Sequence, residues 1–483
     1  MKVSYDRKAL KKEIVHIGLG HFHRAHEAYY LDTLLCKGLA KTGIREINLV
    51  KDPYPLAEIA GKQDYLYTLL ARGASGNEDL QVIGAILDYI NATDDKKEAI
   101  SRAAAPETAV ISMTITEKGY CYDFSKGCLD LSAPPIAHDL QNPGEPESGI
   151  GFLCAVLNKR KEECGLPITV ISCDNFPQNG KTVKSCVLSF CSACKTIYPN
   201  LIPWIEANVA FPCSMVDRIT PNTSPETIRY IEEKYHYRDD WAVACEDFVQ
   251  WVLEDNFKIP ENAPFDPHLF EKAGVQIVAD VEPYEKMKMR LLNASHSALA
   301  YCSYLMGMRS VDEAATNPLV KKYIREVFME EVTPTLPAVP GIDIKAYKDK
   351  LISRFSNKNI ADKILRLAED GSKKIPTYVL GPLEDAIKAG LPHQSMVYAL
   401  ASWARFLTGK DEQGKDIPIL DPDGALVITA AQKAREEPLG FIETIGIHEL
   451  NDLQKNELAK DFGAVLEDIY KEGTEKALRK LLK

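Results

Sequence analysis

IVHIGLGHFHRAHEAYYLDTLL, residues 14–35, decides the fold. IVHIGLG (14–20) is a short apolar run that ends on Gly18 and Gly20, and HRAHEAYYLDTLL (23–35) has the spacing of a helix. Strand, glycine turn and helix in that order open a βαβ unit. The geometry sets backbone N–H groups and the positive end of a helix beside a pyrophosphate. The G-x-G is the short form of the fingerprint, because His23 occupies the third small-residue position and Ala25 follows two later. Its place after the first apolar strand of a βαβ series is what lends it weight.

The pattern continues outward. REINLV (45–50), LQVIGAILDYI (80–90), ETAVISMTIT (107–116) and ITVISCD (168–174) read as further strands. Helical stretches such as 96–105 and 149–165 lie between them. Such alternation predicts an α/β fold, a Rossmann-type doubly wound, mainly parallel sheet. From about residue 281 helical periodicity takes over, at 284–307, 318–331, 344–370, 380–390, 393–408 and 450–482. The expected domains are 1–280, binding a dinucleotide, and 281–483, an all-α domain that binds substrate. A Pro-rich connector, EEVTPTLPAVPGID (330–343), runs through the helical half. Asp52, just past the second strand, can accept from an adenosine ribose diol and repel a 2′-phosphate, which favours NAD over NADP. It also opens the turn DPYP.

The bulk composition narrows the class. The 483 residues carry a formal charge of −11 and are 45% hydrophobic and 26% charged. The excess of acid argues against nucleic acid and against an anionic membrane surface. No run of 18 apolar residues appears, and no apolar segment precedes the first strand, so neither a membrane span nor a signal peptide is expected. Twelve cysteines are scattered between Cys36 and Cys302, which reads as reduced, cytoplasmic thiols. Cys186, Cys191 and Cys194 have no second ligand pair for zinc, and KSCVLSFCSACKTIY reads as a buried helix face. His16, His21, His23 and His26 crowd the first turn without a carboxylate or thiol pattern around them, so no metal is expected.

A second stretch carries the chemistry. MKMRLLNASHSALAYCSYL (287–305) reads as one amphipathic α-helix bearing Lys288, Asn293 and His296. At roughly 100° per residue, Asn293 lies about 140° and His296 about 80° round from Lys288, within one wide cleft. An amine in a dry pocket can act as a general base, and an amide can donate to a developing alkoxide.

GLGHFHRAHEAYYLD, MTITEKGYCYD, ISCDNFPQNG, FPCSMVDRITP, EDFVQWVLEDNF, YEKMKMRLLNASHSAL and RFSNKNIADKILRLAEDGSKKIP together resemble the polyol-specific long-chain dehydrogenases/reductases, the mannitol dehydrogenase family. The likeness spans roughly residues 14–410. It implies a metal-independent hydride transfer between NAD and a secondary alcohol or ketone of a linear sugar derivative. In that pattern Lys288 is the general base, and Asn175 and Asn293 are the amides that hold the reacting oxygen, with Asn179 as an alternative to Asn175. His296, Asp217, Arg366 and Lys374 match substrate contacts, and the last two cations would also help keep Lys288 neutral. Gly18, Gly20, Phe22, His23, Arg24, Asp52, Thr116 and Glu117 are the expected cofactor contacts.

The substrate branches divide. TITEKGYC and WVLEDNF are similar to the fructuronate branch, and PTLPAVPGID to the mannitol branch. D-Mannitol to D-fructose is the expected reaction and D-mannonate to D-fructuronate the alternative. A non-catalytic NAD-binding sensor would not need Lys288, Asn293 and His296 together. The expected partner is a small sugar alcohol or sugar acid, and the expected state a monomer or small homo-oligomer.

Overall fold

A computed structural model of the chain describes residues 1–51, 56–123, 126–263, 265–360 and 362–483. It divides into two compact units, one comprising residues 1–72 and 77–282, the other 73–76 and 283–483.

The first unit is built on six parallel strands: β1 (Lys11–Ile17), β2 (Thr42–Asn48), β3 (Ile86–Asn91), β4 (Val110–Met113), β5 (Ile168–Ser172) and β6 (Val209–Ala210). They lie in the order β6-β5-β4-β1-β2-β3. That is the doubly wound arrangement, with the order reversing between β1 and β4. Ile14, Val15 and Ile17 of β1 and Val110, Ile111 and Met113 of β4 are fully buried. Strands covered on both faces read as continuous apolar runs, which is why these segments are legible. The covering helix Gly149–Glu163 starts on Ser148, whose hydroxyl accepts from the N–H of Gly151. The cysteine-rich helix Asn179–Ala193 buries Cys186 and Cys191, and Cys191 Sγ lies 3.8 Å from Cys154 Sγ.

Two elements differ from the pattern read in the sequence. The expected strand 80–90 is two strands in different sheets. Glu78–Ile83 pairs antiparallel with Tyr67–Arg72, whereas Ile86–Asn91 joins the parallel sheet as β3. Gly84 makes the crossing, with no room for a side chain. A Cβ there would stand 2.9 Å from Val3 and 3.0 Å from Leu66 and Tyr5. The expected helix 23–35 is broken at His26, where φ −124° and ψ −88° separate His21–Ala25 from Glu27–Cys36. Strands Ser214–Asp217, Gln250–Glu254 and Gln276–Val278 form a further small sheet.

The second unit is helical. Its first long element runs continuously as α-helix Glu282–Met287, π-helix Lys288–Asn293 and α-helix Ala294–Leu305. Two more π segments occur, at Tyr323–Phe328 and Pro376–Leu380. The later helix Asp452–Glu472 begins with a reciprocal cap between Asn451 and Gln454. Helices Ala425–Lys433 and Pro438–Thr444 go beyond the elements read from the sequence. Among the described residues no helix is long and apolar enough to cross a membrane.

Candidate active site

In the first unit the chemistry-bearing residues gather at the carboxyl ends of the parallel strands. Gly18 follows β1 with φ +114°, and a Cβ there would stand 2.2 Å from the carbonyl oxygen of Thr114. Only glycine fits, on both counts. Gly20 caps the short helix His21–Ala25 and is exposed, and a Cβ on it would meet nothing closer than 4.0 Å. One glycine is needed for the turn, while the other leaves space beside the turn, its own N–H donating to the Gly18 carbonyl at 2.8 Å. That is the cradle a pyrophosphate requires.

The side chains of His23 and Arg24 are both buried, and Arg24 Nε donates to the carbonyl of Gly20 at 3.3 Å. That burial leaves neither side chain exposed for the expected cofactor contact. His23 is fully buried and stacks on His16, with ring centroids 3.4 Å apart. Its Nε2 lies 2.6 Å from Glu46 and its Nδ1 3.2 Å from Glu27. Burial alone would lower its pKa, but the two carboxylates outweigh that and raise it to about 9. Arg24 lies against the Trp241 ring at 4.7 Å and donates to the carbonyl of Trp241, also fully buried. Phe22 stacks on His26 at 4.9 Å. Burial lowers His21 to about 4 and His26 to about 3. Asp52 lies outside the described residues.

Carboxylates do stand beside the crowded histidines, contrary to the expectation: β2 brings Glu46 from elsewhere, and Glu27 stands four residues after His23. His16, His23 and Glu46 place ligand-type atoms within 4.8 Å of one another. The two rings lie 14° from parallel, so their lone pairs run side by side rather than converging on one ion. The arrangement suits an ion-pair and hydrogen-bond network better than a metal.

Thr116 and Glu117 are exposed just beyond β4. Thr116 has φ +65°, a left-handed conformation that a β-branched residue adopts only under constraint. Asp174, a residue that sequence reading misses, supplies the constraint. Its carboxylate accepts from Ile115 N at 2.9 Å, Thr116 N at 3.0 Å and the Tyr120 hydroxyl at 2.7 Å. Burial raises the Asp174 pKa, and these donors pull the other way. Asp174 thereby ties the turn after β4 to the turn after β5. Asn175 follows it and is exposed.

Asn179 is excluded as the alternative amide. It is fully buried, donates to the carbonyls of Ser172 at 3.0 Å and Ser214 at 2.9 Å, and accepts from Ser214 N at 2.8 Å. Asp217 is buried at the end of strand Ser214–Asp217, in register with Gln250.

In the second unit Lys288 and Asn293 are both buried and bound one π segment. The N–H of Ala294 bonds to Met289, five residues back. Residues five apart are then separated by little more than one turn, much less than in an α-helix. The expected 140° splay between Lys288 and Asn293 is therefore corrected: amine and amide share a face. His296 follows Asn293 by three residues, on that face again, and its ring lies 4.3 Å from the Phe355 ring.

Arg366 and Lys374 sit on the adjoining helices Ile364–Ala368 and Gly371–Ile375. Arg366 is held by Asp362 in a two-pronged ion pair, with Nε 2.6 Å from Oδ1, and Asp362 is itself buried. That pairing raises the Arg366 pKa and offsets its charge. Lys374 donates to the carbonyl of Leu367 at 3.1 Å.

Residues 12–263 match the mannitol dehydrogenase Rossmann domain and residues 280–470 the mannitol dehydrogenase C-terminal domain. The D-mannonate oxidoreductase of Escherichia coli (strain K12) is 42% identical over 87% of this chain and 85% of that protein. A mannitol 2-dehydrogenase of Pyricularia oryzae is 38% identical over 97% of this chain and 93% of its own length. Among solved structures, a Pseudomonas fluorescens mannitol 2-dehydrogenase in ternary complex with NAD and D-mannitol is 37% identical. It covers 99% of this chain and 96% of that one, with a TM-score of 0.86.

Proposed function

The chain belongs to the mannitol dehydrogenase family, and on that premise we propose that it is an NAD-dependent dehydrogenase interconverting D-mannitol and D-fructose. The observation that carries the chemistry is the shared face of Lys288, Asn293 and His296. In the oxidation direction Lys288 takes the hydroxyl proton through Nζ. Asn293 donates to the oxygen as it becomes alkoxide, with Asn175 as the second amide. General base catalysis of this kind is worth about 10²- to 10⁴-fold. His296, backed by Phe355, orients the substrate, and Asp217 and Lys374 are assigned to its remaining hydroxyls. NAD, when bound, supplies the hydride acceptor. The space beside Gly20, the close turn at Gly18 and the exposed Thr116 and Glu117 fit it.

The neutral polyol is favoured over the hexuronate by one observation. Arg366, one of the two cations (with Lys374) that would meet a carboxylate, already holds one in Asp362. Against that stands the likeness to the E. coli D-mannonate oxidoreductase, which makes D-fructuronate the second reading. Steady-state kinetics with NADH on D-fructose and D-fructuronate test the choice. A kcat/KM for fructuronate far above that for fructose reverses it. The free thiols support a cytoplasmic enzyme, and a monomer or small homo-oligomer is the proposed state.

A further inference from the structure

A chain of buried polar groups ends on the glycine turn. Glu46 of β2 lies 2.6 Å from Nε2 of His23. His23 Nδ1 is 3.2 Å from Glu27, and the Ser112 hydroxyl donates to the same carboxylate at 2.6 Å. Nδ1 of His16 is 2.7 Å from Ser112 Oγ. The other nitrogen of His16 lies 3.1 Å from the Gly18 carbonyl oxygen and 2.8 Å from Thr114 Oγ1, and the Thr114 hydroxyl donates to that same carbonyl at 2.9 Å. His16, His23, Glu27, Glu46 and Ser112 are each no more than 1% exposed.

Apolar residues of similar volume would stabilise this region as well or better, because burying ionised groups is costly even when they are paired. A carbonyl oxygen only accepts, so the tautomer of His16 that bonds Gly18 is the one with a proton on the nitrogen facing it. The carbonyl of Gly18 and the N–H of Leu19 belong to one planar trans peptide and point in opposite directions. Holding the carbonyl toward His16 and Thr114 therefore aims the Leu19 N–H away from them.

We propose that His16 is a positioning residue for dinucleotide binding, acting with Thr114 to aim the Leu19 N–H at the cofactor pyrophosphate. This rests on the reading of the turn as an NAD site. His16 itself touches no reacting atom, so its removal acts on cofactor affinity and leaves the chemical step alone.

The test is NADH affinity of the full chain, measured by fluorescence titration, in four variants. His16→Leu is expected to raise the Kd about tenfold and Thr114→Val severalfold. Both remove a hydrogen bond that fixes the turn. His16→Gln and Thr114→Ser keep a donor and are expected to stay within about threefold of the parent. At saturating NADH, kcat is expected to hold within about twofold. If His16→Leu does not fold, Thr114→Val, altered at a half-buried side chain, decides. Parent-like NADH affinity in His16→Leu and Thr114→Val overturns the proposal, whatever their melting temperatures. A loss of kcat at unchanged Kd overturns it too. A parent protein that binds no NADH instead removes the NAD reading itself, and the proposal with it.

Discussion

Lys288 and Asn293 are the two ends of a single π-helical segment, and the five-residue reach of its hydrogen bonds stacks the amine and the amide along one face of the helix. An α-helix over the same residues would turn them about 140° apart. The extra residue costs the regular hydrogen-bond ladder some quality, and such turns occur frequently at functional sites for this reason.

Lys288→Ala is expected to lower kcat by roughly 10²- to 10⁴-fold, and Asn293→Ala by about 10²- to 10³-fold. NADH affinity should hold in both. Stopped-flow measurement of hydride transfer together with NADH titration checks this, and parent-like turnover in Lys288→Ala removes the assignment of the base.

Breaking the pair between Asp362 and Arg366 should change substrate choice. Asp362→Asn leaves the guanidinium without its counter-charge, so D-fructuronate is expected to gain at least about tenfold in kcat/KM relative to D-fructose. Arg366→Ala should cost fructose only modestly, since a hydrogen bond to a hydroxyl is worth about 0.5–1.5 kcal/mol. An unchanged ratio in Asp362→Asn would show that Arg366 does not meet the substrate.

His23 links stability to pH. Its folded pKa, about 9, is above the ordinary 6.5 because Glu46 and Glu27 outweigh burial. The contribution is thus fully present below pH 6.5 and is lost as pH rises through 9. The shift corresponds to about 3 kcal/mol. Thermal melts from pH 6 to pH 10 should fall across that window in the parent and less steeply in His23→Gln. Parallel curves would contradict the ion-pair reading.

Exhaustive dialysis against a chelator is expected to leave turnover unchanged. His16, His23 and Glu46 are close enough to invite an ion, but their rings stack instead of converging. Activity that is lost on dialysis and restored by zinc would move the catalytic chemistry to a metal.

Legibility in the sequence followed local pattern. Val110–Met113 and Ile168–Ser172 are apolar on both faces, and no other element type explains such short runs between helices. Gly84 hides inside an apolar stretch, so the jump from one sheet to another there leaves no local trace, and only the packing of Val3, Leu66 and Tyr5 requires it. The π turn at Lys288 is equally silent, because its residues are ordinary helix formers. Glu46 was invisible as a partner of His23 because it comes from β2, whereas Glu27, four residues after His23, had a spacing that could have been weighed. Asp362 lies four residues before Arg366, a spacing that sequence alone could have weighed as a helical pair. Asp174 had a signal of its own, an acid two residues past the end of a parallel strand and directly before Asn175.

Asn175 and Asn179 are the same residue four places apart, yet they would behave as opposites in a saturation-mutagenesis experiment. Asn179 spends its amide on the backbone that joins β5 to the strand Ser214–Asp217. A library scored only on how much folded protein accumulates would therefore be intolerant at 179 and permissive at 175, where the side chain is exposed. Scored instead on growth that depends on turnover, both positions would become intolerant. The difference between the two maps would mark residue 175, and others like it, as held by the reaction rather than by the fold.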